Sequence, residues 1–132
     1  MSKVSKEIAE KEVNDWLDYK KINVQKREAQ ANSIETLIGF ISEGTISIKE
    51  DKTIVQELLF EIGKESKITK LEYKPRIHVG AIQRHLEGGK STDMDLRIVA
   101  TAAALTSQTK ELIKQLDSED YSVASSIAIF FL

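Results

Sequence analysis

Several short stretches of this sequence carry residue types that could do chemistry. Gly89-Lys90-Ser91 has the closing residues of a phosphate-binding loop, in which backbone N–H groups cradle phosphate and the lysine neutralises it. That loop also needs a glycine five positions before Gly89, where Arg84 stands, and a strand before it, where the period is helical. The stretch reads instead as a turn between two helices, and no nucleotide or other cofactor is expected. His78 and His85 are seven apart and could share a helix face. Two imidazoles without cysteine or a paired acid nearby fall short of a metal site. Asp93 with Asp95, and Glu119 with Asp120, are carboxylate pairs. General acid–base work needs one member of a pair held in an apolar pocket. Both pairs fall in first turns of helices, where the positive end of the helix dipole accounts for them. No Ser–His–Asp order and no nucleophile elbow is present. The residues therefore point away from an enzyme.

Two stretches could bind a protein. Lys67, Lys70, Lys74, Arg76 and His78 concentrate positive charge. In an extended chain Lys70, Lys74 and Arg76 share one face, opposite Leu71 and Tyr73. The leading reading is a solvated strand face. As a binding patch it would suit an acidic protein better than nucleic acid, because no aromatic residue interleaves with the lysines. The second stretch is Ile127-Ala-Ile-Phe-Phe-Leu132. Successive helical residues are about 100° apart, so Phe130, Phe131 and Leu132 cannot all face one core. Full burial of the stretch is weighed against a partner-binding edge, with Phe130 expected to be the residue that faces outward.

These residues must be positioned by the elements around them. At 132 residues the chain has the size of one domain and can bury roughly two-thirds of its unfolded surface. Its 41% hydrophobic and 30% charged residues describe a globular chain rather than a disordered one. A net charge of -2 supplies no broad basic field for nucleic acid. There is no cysteine, so no disulfide and no thiolate metal site. The first residues lack the apolar core of a signal peptide, and Ile127–Leu132 is far too short to span a bilayer, so no membrane is expected.

The pattern predicts an α+β fold of N-terminal helices, a small three-stranded antiparallel sheet and a C-terminal helical cluster. Residues 1–44 read as a helical N-terminal extension, capped by Ser5, weakened at Lys20–Asn23, continued as one helix over Gln25–Ser42 and stopped by Gly44. Trp16 and the Ile34, Leu37, Ile41 stripe imply that this extension docks somewhere, although the rest is expected to fold without it. Residues 45–132 read as the α+β domain. Its strands are Thr45–Ile48, Thr53–Phe60 and Ser66–Lys74, ended by Pro75. Helices follow through Ile77–Leu86, from a cap at Ser91 or Thr92, from Thr106 or Ser107, and from Asp117.

Ile68-Thr-Lys-Leu-Glu-Tyr-Lys-Pro75, Val99-Ala-Thr-Ala-Ala-Ala-Leu-Thr106, Leu116-Asp117-Ser-Glu-Asp120 and the closing Phe131-Leu132 occur in an order and spacing that resemble one family. It is the small tail assembly chaperones of contractile-tailed phages. The resemblance covers about residues 53–132 and leaves the first helices outside it. It implies a non-enzymatic factor of the host cytoplasm. Such a factor binds the tape measure protein and the tail tube protein during assembly and is absent from the finished particle. A structural virion protein, as a connector or baseplate part, is the alternative.

Overall fold

Ser5 opens the first helix, its Oγ accepting the Ile8 N–H at 3.2 Å. Helix α1 runs over Lys6–Tyr19 and buries Ala9, Val13, Trp16 and Leu17 along one stripe. The weak point expected at Lys20–Asn23 is a true break, with Lys21 at φ 58° and the Asn23 side chain capping α2, Val24–Ala29. The next helix is not continuous. Gln30 leaves helical geometry, and α3 restarts at Ala31–Glu43. The reason is the missing apolar stripe: α2 buries no residue, whereas α3 buries Leu37, Ile38 and Ile41. Gly44 ends α3 at φ 83°, a left-handed conformation that glycine adopts without steric cost.

The computed structural model describes residues 3–86 and 93–132, and its fold is α+β. Strands β1 (Ile46–Ile48), β2 (Ile54–Ile62) and β3 (Ile68–Tyr73) form an antiparallel meander in that order. The glycine-free turn between β1 and β2 is closed by Lys52 at φ 72° and by the Asp51 carboxylate, which accepts the Thr53 N–H at 2.9 Å. Gly63 turns β2 into β3 at φ 95°, where a side chain would collide with the Ser66 carbonyl oxygen. Ile46 faces Gln56, Ile54 faces Tyr73 and Gln56 faces Leu71, all buried. Beyond Glu57 the pairing slips, and regular register returns at Ile62 opposite Ile68.

After Pro75 the chain forms α4 (Val79–Leu86) and α5 (Met94–Thr106). The expected caps Ser91 and Thr92, and the Gly88–Gly89 stop, lie outside the described residues. Asp93 is itself the cap, its carboxylate accepting the Leu96 N–H at 3.1 Å. Helix α5 buries every residue from Ala100 to Thr106 and packs against α4, α7 and β3. It extends past the expected start of the following helix, because the Thr106 hydroxyl returns to the Ala102 carbonyl and Ser107 turns left-handed. Thr109 caps the short α6 (Lys110–Ile113), Asp117 caps α7 (Ser118–Ala128), and a 3-10 turn closes Ile129–Phe131.

The boundary expected at residue 44 runs through one continuous core. Ala9, Val13, Trp16, Leu17, Leu37, Ile38 and Ile41 share a cluster with Ile46, Tyr73, Leu105, Ile127 and Phe130. The start of the chain is clipped to α3, Val4 N–H donating to the Ser42 carbonyl and the Ser42 hydroxyl to the Val4 carbonyl. Among the described residues no helix is long and apolar enough to cross a membrane.

Candidate partner-binding surface

The 3-10 turn after α7 decides which apolar residue faces inward. Phe130, expected to point outward, is 1% exposed. Its ring meets Trp16 edge to face, 5.5 Å between centroids at 90°. The outward residues are Phe131 and Leu132, both half-buried. Tightening the helix to about three residues per turn rotates the last side chains away from the angles of an α-helix, which no local residue signals.

Phe131 supports a lysine. Lys20 places Nζ 3.5 Å from the Phe131 ring centroid and 5.7 Å from that of Trp16. Burial lowers its pKa to about 8, with the positive charges of Lys26 and Arg76 adding to the effect. Lys26 donates from Nζ to the Phe130 carbonyl at 3.2 Å. Among the described residues no carboxylate lies within ion-pair distance of Lys20, Lys26 or Arg76. Arg27 pairs with Asp18 at 2.8 Å, Lys11 with Asp15 at 2.8 Å and Lys49 with Glu72 at 2.6 Å.

Beside this corner lies a groove of about 520 Å³, lined by Val79, Ile82, Gln83 and Leu86 of α4, Arg97 of α5, and Phe131 and Leu132. Helix α4 buries no residue, and Val79 is 69% exposed. An apolar stripe at positions i, i+3 and i+7 thus borders the groove, with Val79 exposed and Ile82 and Leu86 half-buried.

The basic residues expected on one strand face are divided. Lys70 and Lys74 are exposed on β3 and just beyond it. Lys70 stands across from Glu57 and beside Glu72, whose pKa is lowered chiefly by its hydrogen bond to Lys49. That face is a solvated mixture of charges. Arg76 is the residue of the three whose charge reaches Lys20, so Arg76, Phe131 and Leu132 are brought to the same region.

Of the carboxylate pairs, Asp120 has a role that dipole complementarity does not describe. It is 1% exposed, and its carboxylate accepts the Leu59 N–H at 3.0 and 3.1 Å and the Phe60 N–H at 3.1 Å. Its backbone carbonyl accepts from Gln56 Nε2 at 3.0 Å, and Gln56 Oε1 accepts from the Tyr73 hydroxyl at 2.5 Å. Burial, reinforced by the Asp120 charge, pushes the Tyr73 hydroxyl well above its ordinary pKa. The carboxylate is spent on holding the slipped part of β2, which leaves Leu59 and Phe60 67% and 60% exposed. His78 is exposed, His85 half-buried, and among the described residues no group of three His, Cys, Asp or Glu could hold a metal. Gly89-Lys90-Ser91 lies outside the described residues.

Sequence reasoning missed Lys20, which it read as part of a helix break. A lysine four residues after the chain's one tryptophan, at the end of an apolar stripe, was the available signal. Compared with protein-family models, with curated proteins and with solved structures, the chain matches none.

Proposed function

We propose that this chain is a non-enzymatic assembly factor of a contractile phage tail that binds the tape measure protein, the tail tube protein or both while the tail is built. The observation that carries this reading is the open apolar groove between α4 and the C-terminal turn. A groove of that kind accepts the apolar face of a helix, and a long helical tape measure would supply one. The order and spacing of the motifs from Ile68 to Leu132 support the choice of partners.

The test is co-expression with candidate tape measure and tail tube proteins from the same source as the chain, followed by purification and by protein analysis of finished particles. The expected result is a complex with at least one of the two and no detectable chain in particles. Binding to neither removes the reading. Recovery from particles in stoichiometric amount makes it a structural part of the tail instead.

A further inference from the structure

Lys20 sets its ammonium over Phe131, Lys26 donates to the carbonyl of the neighbouring Phe130, and Arg76 is near enough for its charge to act on Lys20, with no acid within ion-pair distance of the three among the described residues. The chain has no shortage of acids, with 21 against 19 lysines and arginines. A half-buried ammonium beside two like charges is disfavoured until an anion reaches it, and the aromatic rings offset only part of that cost. The corner adjoins the groove directly, because Phe131 lies under Lys20 and also lines the groove wall.

We infer that this corner reads charge for the groove: the groove takes the apolar face of an amphipathic helix from a partner protein, and Lys20, Lys26 and Arg76 take an Asp or Glu on that helix. The stripe Val79, Ile82, Leu86 matches the side-chain rows of a second helix. Charge complementarity selects the acidic occupant. A second copy of the chain meeting this face by two-fold symmetry would bring the same three cations against themselves. A nucleic-acid strand would need an aromatic face for its bases, and Lys20 already covers that of Phe131. The identity of the partner rests on the assembly-factor reading above; the acid dependence does not.

The experiment titrates the full chain with the tape measure and tail tube proteins, then with fluorescein-labelled 20-residue peptides tiling whichever binds. The tightest peptide is expected to carry an Asp or Glu flanking an apolar stripe. Changing that acid to its amide should weaken binding on the order of tenfold, the effect of removing one partner of a desolvated charge pair. Lys20→Met keeps a hydrocarbon chain over Phe131 and should cost the same factor. In that variant the acid-to-amide change should have no further effect, closing a double-mutant cycle. Arg76→Glu, at an exposed position, should weaken the acidic peptide more than the amide one, and Val79→Ser should weaken both alike. Thermal melting of each variant shows whether it is folded. If a partner binds and neither the acid nor Lys20 matters, this inference falls and the assembly reading stands. If no partner binds the native chain, both fall. If the native chain instead self-associates and Lys20→Met or Val79→Ser abolishes it, the occupant is a second copy and the acidic helix is overturned.

Discussion

Lys20 is held charged in a place that disfavours charge. Its pKa of about 8 lies below the 10.5 of an unhindered lysine. The folded state therefore loses its proton first, and the cost of the buried charge is present in full below about pH 8. Stability contributed by this residue rises between about pH 8 and 10, as the folded form sheds the proton that the unfolded form still binds. Lys20→Met should accordingly raise the melting temperature at pH 7 and lose much of that advantage by pH 9.5. Melts of both proteins at the two pH values check this; an equal gain at both would mean the effect is packing alone. The upper value stays below 10 because the Tyr73 hydroxyl, held protonated by burial, lowers stability once the unfolded phenol ionises. A second residue-scale prediction concerns Thr101, whose buried Oγ1 has no hydrogen-bond partner among the described residues. Thr101→Val keeps the shape, removes the stranded hydroxyl and should stabilise by about 1 kcal/mol in a chemical denaturation series.

Among the elements, the sheet and some of the helix ends were legible in the sequence, while the caps Asn23, Asp93 and Thr109 were not. Alternation at Ile46 and Ile48, the break at Pro75, and the caps Ser5, Gly44 and Asp117 all act where they stand, because each rests on contacts within a few residues. The irregular part of β2 was not legible. Thr53–Phe60 reads as a regular strand, and the carboxylate that shapes its far half comes from a residue 60 positions later. Phe130 was misplaced for a related reason, since its direction depends on a 3-10 turn and on Trp16 across the fold. The site itself was half legible: Arg76, Phe131 and Leu132 by type, but not Lys20 or the stripe of α4 as its partners. Asp120 gives the element-scale prediction. Asp120→Ala leaves the Leu59 and Phe60 N–H groups without their charged acceptor and should cost about 3 kcal/mol of unfolding free energy. Asp117→Ala, the loss of an exposed cap on the same helix, should cost about 1 kcal/mol. Equal costs would mean that the buried carboxylate does no more than cap.

For the whole molecule, the shared core decides whether the first helices are dispensable. Removing residues 1–43 would take Trp16 off Phe130 and α3 off α7 and β1, and would delete Ala9, Val13, Trp16, Leu17, Leu37, Ile38 and Ile41 from the shared core. Each large side chain so exposed forfeits about 1.5–3 kcal/mol, and a domain of this size holds only about 5–15. A chain starting at residue 44 should therefore show no cooperative melting transition by circular dichroism, and a sharp transition would restore the extension as a separate unit. The Lys26–Phe130 hydrogen bond joins residues 104 apart, in the region where Trp16 also meets Phe130. During synthesis, at ~5–20 residues per second, that distance means roughly 5–20 s between the emergence of one partner and the other. For that interval α1 and α3 can pack on each other, but Trp16 and the side of α3 that meets α7 lack their C-terminal partners. A chain built this way should itself lean on folding helpers while it is being made.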